Sequence, residues 1–308
     1  MTSDRAPEPD AQPDLKADPA RIGIVGLGLL GTAVAGQLIR AGCDIHGYDL
    51  RAERLVALQG LGGTPHTQPL DLIAGGISTL LFCVMTTEQV RSVVEPLLSL
   101  LPPGALLIDC STGDPDSVTA LGRDLRRQGH RYVDATVAGS STQVAAGEAM
   151  VLAGGAPEDL ERAAALLNPI YRKFFPLGEI GAGSRMKLVF NMALGLHRLA
   201  LAESLAFAES QGIAAEQALG VLQAGVAASR VMENKGPRMV SGDFTPEARL
   251  SQHLKDVRLM QQVAARSGAE IPLTELHRKI LERAELEGLG ELDNSAVIQL
   301  FRCSGILS

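Results

Sequence analysis

The segment RIGIVGLGLLGTAVAGQLIRAG, residues 21–42, decides the fold of this chain. Its apolar beginning, RIGIV, is typical of a buried strand, and the amphipathic stretch after it predicts a helix from about Leu29 to Ala41. Between them, Gly26, Gly28 and Gly31 have the spacing G-x-G-x-x-G. A strand, this glycine turn and a helix together predict a dinucleotide site, in which the helix N-terminus faces a pyrophosphate.

The next apolar segment, CDIHGYD, indicates a second strand that ends at Asp49. A carboxylate at this point accepts hydrogen bonds from the hydroxyls of an adenosine ribose and repels a 2′-phosphate, which favours NAD over NADP. Arg51 and Arg54 are the counter-argument, because either could hold a phosphate; we interpret them as solvated residues of a first helical turn. The expected cofactor contacts in this region are Gly26, Leu27, Gly28, Leu30, Gly31 and Asp49.

Beyond this unit the chain keeps alternating between short apolar runs and longer amphipathic ones up to about residue 181. That alternation predicts an α/β Rossmann domain, a doubly wound and mostly parallel sheet, over residues 21–182. From residue 183 the periodicity is helical throughout, which predicts an all-α domain over residues 183–308 for substrate binding and oligomerisation. The first of its helices is apolar over most of its surface and must be surrounded by other helices, either of the same subunit or of another one.

Composition excludes several classes of function. The net charge of −7 argues against a nucleic-acid partner. The four cysteines are far apart without a C-x-x-C pair, so no metal site is predicted. The Pro- and Asp-rich residues 1–20 are predicted to form a disordered tail, and the longest uncharged stretch, residues 72–87, is too short to span a membrane. We therefore expect a cytoplasmic protein with no membrane association.

The peptide GSRMKLVFN, residues 183–191, places one lysine in an otherwise apolar helix. Lys187 and Asn191 are four residues apart and share a helical face. In hydride transfer to a carbonyl, negative charge grows on the oxygen, and a nearby ammonium can stabilise that charge and deliver a proton. Burial on an apolar helix would lower the lysine pKa toward the range where it exchanges protons readily. From these residues Lys187 is either a candidate general acid and base or a lysine whose ammonium reaches the surface from the first turn of a helix.

Five motifs in order resemble one family, the β-hydroxyacid dehydrogenases, which include 3-hydroxyisobutyrate dehydrogenase, tartronate semialdehyde reductase and the glyoxylate/succinic semialdehyde reductases. They are the glycine turn GLGLLGTAVAGQL, LLIDCSTGDP, the loop DATVAGSSTQVAAGEAMVLAGG, GAGSRMKLVFN and HLKDVRLM. The resemblance covers nearly everything except the tail. It implies that Lys187 is catalytic and that Asn191 holds substrate beside it. It also implies cofactor contacts near the nicotinamide from Met85, Thr86, Thr112 and Lys255, with Asp256 bracing the Lys255 segment.

One loop departs from the family pattern. The family's substrate loop has a serine followed by two glycines that grip the substrate carboxylate, whereas this chain has Ala138, Gly139 and Ser140. Thr136 and Thr86 also stand where the family has prolines. The resemblance still implies substrate contacts from Gly139 and Ser140. Two interpretations stay open: drift on a loop, or a substrate with a different acid group or shape.

Together these features predict an NAD-dependent oxidoreductase that interconverts a small β-hydroxy acid and its semialdehyde or keto form. The resemblance, with the long apolar helix, predicts a homodimer or homotetramer. One alternative is an imine reductase-like NAD(P)H enzyme, which usually lacks the lysine. Another is a catalytically silent dehydrogenase-like module that only binds nucleotide.

Overall fold

The computed structural model of this protein describes residues 20–302. Apart from Ala20, the tail predicted to be disordered lies outside the described residues, as does Cys303. The predicted division of the chain near residue 182 stays a prediction.

One eight-stranded sheet forms the first half of the fold, in the order β3-β2-β1-β4-β5-β6-β7-β8. All neighbouring strands are parallel except β6 and β7, which are antiparallel. The strands are β1 (Arg21–Val25), β2 (Asp44–Tyr48), β3 (Thr64–His66), β4 (Thr79–Phe82), β5 (Leu106–Asp109), β6 (Arg131–Ala138), β7 (Ala149–Gly154) and β8 (Tyr171–Pro176).

Seven helices alternate with these strands: α1 (Leu29–Arg40), α2 (Ala52–Gly60), α3 (Pro69–Ala74), α4 (Thr87–Val94), α5 (Pro115–Arg127), α6 (Ser141–Ala145) and α7 (Pro157–Leu167). The second half of the described chain is helical: α8 (Ala182–Ser210), α9 (Ala215–Ala224), α10 (Arg230–Ser241), α11 (Leu250–Ser267), α12 (Pro272–Leu286) and α13 (Ile298–Arg302). Short 3₁₀ turns follow α4 and α7 and precede α13.

The doubly wound sheet followed by helices confirms the predicted fold class. Buried aliphatic side chains cover both faces of the sheet in two clusters, and a third cluster fills the centre of the helical half. Strands whose two faces are both buried read as continuous apolar runs, as RIGIV and TLLF do here. This explains why a chain with few aromatic residues still builds a large core.

Four elements were not predicted from the sequence, namely β3, α3, α6 and α10. The strand β3 has only three residues and contains Pro65, and α6 has five residues, so neither produces a periodic pattern. The helix α10 contains the helix-breaking pair Gly236 and Pro237.

Within residues 20–302, no helix combines the length and apolar character needed to cross a bilayer. The same described part of the chain contains no cluster of three or more histidine, cysteine or acidic side chains that could hold a metal ion.

Candidate active site

The predicted site residues lie where parallel strands end. The glycine turn follows β1, Asp49 follows β2, Met85 follows β4, Thr112 follows β5 and Gly139 follows β6. The sheet order reverses between β1 and β4. In open α/β sheets the crevice at the carboxyl edge, at such a reversal, is the usual ligand site.

The glycine turn is built so tightly that side chains are excluded. Gly26 has a φ of +91°, and a Cβ there would lie 2.5 Å from the Cys83 carbonyl oxygen. A Cβ at Gly31 would lie 1.9 Å from the Gly26 carbonyl oxygen, so α1 begins directly against the turn. Gly28 differs, because a Cβ there would meet only the Arg54 guanidinium, at 3.6 Å. The space above Gly28 and the N-terminus of α1 therefore fit a pyrophosphate.

The side chains of Leu27 and Leu30 pack into the core, Leu27 completely and Leu30 partly. Only the backbone of Leu27 faces the site, where its N–H donates to Asp49 Oδ2 at 2.7 Å. Asp49 Oδ1 accepts from the Arg51 N–H at 3.0 Å. Burial acts to raise the pKa of Asp49, but these hydrogen bonds and the Arg54 charge lower it below its usual value.

Arg54 is not the freely solvated residue that the sequence suggested. Its Nη1 donates to Asp49 Oδ2 at 3.0 Å, and its side chain is 28% exposed. The buried Asp49 carboxylate thus already accepts three hydrogen bonds of the roughly four it can take. A ribose that used both of its hydroxyls on Asp49 would have to displace Arg54.

Lys187 is buried in the second turn of α8, with 8% of its surface exposed. Its Nζ donates to the Val137 carbonyl oxygen at 2.7 Å, at the end of β6, and lies 5.6 Å from the centre of the Phe190 ring. Burial lowers the pKa of Lys187 to about 8, an effect that Asp256 opposes and Lys255 reinforces. The lysine is thus placed to exchange a proton near neutral pH.

The start of α8 is anchored to the sheet, which fixes the position of the lysine. Asp134 on β6 accepts hydrogen bonds from the Gly181 N–H at 2.9 Å and the Ser184 N–H at 2.7 Å. A Cβ at Gly183 would lie 2.5 Å from the Leu152 carbonyl oxygen, so the helix touches the backbone of β7. The Thr136 hydroxyl donates to the carbonyl oxygens of Leu152 and Gly183 at 3.2 and 3.3 Å.

Asn191 and the α11 residues Lys255 and Asp256 form a second polar group beside Lys187. Asn191 Nδ2 donates to Asp256 Oδ2 at 2.8 Å, and both residues are buried. Lys255 Nζ lies 3.1 Å from Asp256 Oδ1 as an ion pair, although the alignment is not that of a hydrogen bond. The carboxylate of Asp256 therefore connects the amide of Asn191 to the ammonium of Lys255.

Lys255 connects the helical half to the sheet. Its Nζ donates to the Met85 carbonyl oxygen at 2.7 Å and to the Thr112 carbonyl oxygen at 2.9 Å. The structure thus brings together three of the four residues expected near the nicotinamide. Thr86, the fourth, caps α4: its hydroxyl accepts from the Gln89 N–H at 3.3 Å. A threonine in place of the family's proline here has a local structural use.

The loop after β6 closes on itself. Gly139 is exposed, but Ser140 forms a capping box with Gln143. The Ser140 N–H donates to Gln143 Oε1 at 2.9 Å, and the Ser140 hydroxyl accepts from the Gln143 N–H at 3.3 Å. A substrate that used the Ser140 N–H would have to displace the Gln143 side chain. Thr142 next to it reaches Glu247 of the helical half at 3.3 Å.

Sequence reasoning did not single out Asp134, Gln143 or the pairing of Arg54 with Asp49. For Gln143 a signal existed, because a serine followed three residues later by glutamine is the pattern of a capping box. The contacts of Asp134 with the start of α8 and of Arg54 with Asp49 depend on the tertiary fold, and no local sequence pattern predicts them.

Two family models match the chain. Residues 21–178 match the NAD-binding domain of 6-phosphogluconate dehydrogenase, and residues 181–301 match the NAD-binding region of NADP-dependent 3-hydroxyisobutyrate dehydrogenase.

An L-threonate dehydrogenase of Cupriavidus necator is 32% identical over 283 residues, covering 91% of this chain and 95% of that protein. The crystal structure of a 3-hydroxyisobutyrate dehydrogenase from Salmonella typhimurium superposes with a TM-score of 0.82 at 28% identity, covering 91% of this chain and 99% of that one. That of Mycobacterium tuberculosis 3-hydroxyisobutyrate dehydrogenase with L-serine gives a TM-score of 0.83 at 25% identity, covering 92% and 100%.

Proposed function

Because this chain belongs to the β-hydroxyacid dehydrogenase family, and is thus an NAD(P)-dependent dehydrogenase acting on CH–OH groups, we propose that it interconverts a small β-hydroxy acid and its semialdehyde or keto form. In this proposal Lys187 is the general acid and base, and NAD is preferred over NADP. The observation that carries it is the buried Lys187 ammonium, fixed at the carboxyl edge of the sheet beside Asn191.

The cofactor would be held at its pyrophosphate by the turn around Gly28 and at its adenosine ribose by Asp49. Bound nicotinamide would accept the hydride from the alcohol or return it to the carbonyl. Lys255, which donates to the Met85 and Thr112 carbonyl oxygens, would keep these two strand ends and α11 in a fixed relation around that site.

Lys187 has three N–H donors, and Val137 takes one of them. The remaining two can face the oxygen of the substrate. When the carbonyl is reduced, the ammonium stabilises the growing negative charge and donates a proton to the oxygen. When the alcohol is oxidised, neutral Lys187 accepts that proton. A pKa of about 8 keeps both forms accessible near neutral pH.

Asn191 would orient the substrate hydroxyl. Its Nδ2 donates one hydrogen to Asp256, which leaves its second N–H to donate to the substrate oxygen, whose proton stays available for Lys187. Asp256 thus has two uses, since it fixes the amide and raises the pKa of the lysine above the value that burial alone would give.

The substrate's acid group would lie against Gly139. Because Gln143 covers the Ser140 N–H, the loop offers a side-chain amide where a bare backbone donor is expected. This supports the interpretation that the loop selects a substrate of different shape, such as a polyhydroxy acid. The L-threonate dehydrogenase relative is named for such an acid.

The preference for NAD is supported by the buried Asp49 carboxylate, which would repel a 2′-phosphate. Arg54 argues for NADP, because its guanidinium lies beside Asp49 and could instead pair with that phosphate. Rates with the two cofactors decide between these uses of the arginine.

We also propose that the protein is a homodimer or homotetramer. Along α8, Met186, Val189 and Phe207 are 37%, 57% and 66% exposed. Apolar side chains left exposed along one helix are typical of an interface. Light scattering coupled to size exclusion should give a mass of two or four chains; a single-chain mass at micromolar concentration would contradict this.

The test of the proposed reaction is a panel of initial rates followed by nicotinamide absorbance. It would include 3-hydroxyisobutyrate, L-threonate, shorter and longer hydroxy acids and a sulfonate analogue, each with NAD and with NADP. Lys187→Ala is the test variant, and Lys279→Ala, which removes a lysine that is 58% exposed on α12, is its matched control.

Turnover with NAD that collapses only in Lys187→Ala would support the proposal. Equal loss in the control, or full activity without Lys187, would refute the catalytic role. Nicotinamide binding without turnover on any acid would favour the imine reductase-like or the silent alternative.

A further inference from the structure

Two cysteines lie side by side beneath the candidate cofactor site. Cys83 follows β4 and Cys110 follows β5, and the parallel pairing of these strands matches Phe82 with Asp109, one residue earlier in each. The ladder continues past that pair, since the Cys110 N–H donates to the Phe82 carbonyl oxygen at 2.8 Å.

This register brings the two thiols within reach of each other. Neighbouring strands are about 4.8 Å apart and matched residues point to the same face, which lies within the roughly 4.4–6.8 Å between Cα atoms that a disulfide requires. The two side chains also pack into the same core cluster, Cys110 as a buried member and Cys83 as a partly buried neighbour. Both are free thiols in the structure.

The pair faces α1 and the glycine turn. A Cβ at Gly31 would lie 3.2 Å from Cys83 Cβ, and the Cys83 carbonyl oxygen lies against Gly26. Cys110 is 2% exposed, whereas Cys83 is only partly buried. Cys83 is therefore the more accessible thiol of the pair.

We propose that Cys83 and Cys110 form a dithiol site at which a peroxide-class oxidant makes a reversible disulfide, and that this modification weakens cofactor binding. The cofactor would in turn shield the pair from oxidation. The disulfide itself does not depend on the proposed reaction; only the kinetic readout rests on the proposed function.

The chemistry balances with one hydroperoxide. The Cys83 thiolate attacks a peroxide oxygen, which gives a sulfenic acid and hydroxide. The Cys110 sulfur then attacks the Cys83 sulfur, forming the S–S bond and expelling a second hydroxide. The two protons of the thiols convert both hydroxides to water, so the thiols lose two electrons and the peroxide gains them. The adjoining Cys83 thiol and burial raise the pKa of Cys110, and Cys83 is the more exposed of the two, which makes Cys83 the first nucleophile.

The disulfide would strain the cofactor site because an S–S bond of about 2.05 Å is shorter than any contact between thiols. Disulfides most often have about 5.5–6 Å between their Cα atoms, which is wider than the roughly 4.8 Å between neighbouring strands, so closing this one shifts the ends of β4 and β5. The Val84 N–H, next to Cys83, donates to the Ser111 hydroxyl at 3.1 Å. Lys255 binds the carbonyl oxygens of Met85 and Thr112 on the same two segments. A shift of either strand end therefore reaches both the glycine turn and Lys255.

The test treats the full-length protein with hydrogen peroxide, alkylates the remaining thiols and maps cysteine peptides by mass spectrometry. We expect a cross-linked peptide pair containing Cys83 and Cys110, reversed by dithiothreitol and formed more slowly with NADH present. Weaker cofactor binding in the oxidised protein should raise the KM for NAD about fivefold or more, which is the lower end of the affinity changes found between coupled sites.

Two variants serve as controls. Cys43→Ala, which removes a partly buried thiol just before β2, should keep the cross-link and the rise in KM. Cys110→Ala should lose both the cross-link and the rise in KM. If this variant folds poorly, peptide mapping of the unmutated protein still tests the disulfide. Cys83 and Cys110 both alkylated after peroxide, or oxidised singly to sulfinic or sulfonic acid, would overturn the site. A cross-link with unchanged KM would overturn its link to the cofactor.

Discussion

Replacing Lys187 by methionine should make the protein more stable while removing its activity. The ammonium is buried, and burial holds its pKa at about 8 where an exposed lysine has 10.5. Each pKa unit corresponds to about 1.4 kcal/mol. Keeping this lysine charged in the folded protein at pH 7 therefore costs about 3 kcal/mol relative to the unfolded chain.

Methionine removes that cost at nearly the same volume. It also leaves the Val137 carbonyl oxygen without the hydrogen bond from Nζ, and an unsatisfied buried acceptor costs about 1–3 kcal/mol. The difference predicts a gain of about 0–2 kcal/mol in the free energy of unfolding at pH 7. Loss of a general acid lowers rates by about 10²–10⁴, so kcat should fall by at least about a hundredfold.

Urea unfolding at several pH values tests the stability part. Between pH 8 and about 10.5 the unfolded chain binds the extra proton at Lys187, so the stability of the unmutated protein rises with pH in that window. The difference in the free energy of unfolding between the unmutated protein and Lys187→Met should therefore become smaller as the pH rises. If Lys187→Met is less stable than the unmutated protein at pH 7, and the difference in their free energies of unfolding does not depend on pH, the reasoning about the buried charge is refuted.

Three further substitutions test other contacts. Asp256→Asn removes the charge that raises the pKa of the lysine, so the lysine-dependent limb of the pH–rate profile should move below pH 8; a limb that moves upward would contradict the assignment. Arg54→Ala releases Asp49, so kcat/KM with NAD should rise while that with NADP falls; parallel changes would exclude a role in cofactor choice. Gly183→Ala forces a Cβ to within 2.5 Å of a backbone oxygen and should lower kcat at least tenfold. Gly220→Ala, on an open helix surface, should leave kcat unchanged and leave the protein as stable or more stable by up to about 1 kcal/mol. Equal losses of kcat in the two variants would contradict the close contact between α8 and the sheet.

The sequence alone was enough to predict the architecture because its signals are local. The run RIGIV, the three glycines and Asp49 define a βαβ unit through steric rules that hold wherever the motif occurs. The alternation of apolar and amphipathic segments then extends that unit to a whole doubly wound sheet. Elements without such a pattern, such as the three-residue β3 and the Pro-containing α10, could not be inferred this way.

The candidate site was predicted less completely, because its contacts are tertiary. A single sequence shows that Lys187 and Asn191 share a helical face. It does not show that Asp256, 65 residues later, receives the amide of Asn191, or that Asp134 anchors the start of α8. The hydrogen bonds between Ser140 and Gln143 could have been predicted from the local sequence, because a serine followed three residues later by a glutamine is the pattern of a capping box.

The pH dependence of kcat/KM for reduction and for oxidation tests the central claim most directly, since this quantity reports the pKa of the free enzyme's acid and base. If Lys187 with a pKa of about 8 is the proton donor and acceptor, reduction should lose about tenfold per pH unit above pH 8. Oxidation should gain as steeply up to that pH and then level off. Both limbs should vanish from the residual activity of Lys187→Met. A profile that is flat between pH 7 and pH 9, or limbs that persist in the variant, would contradict the account.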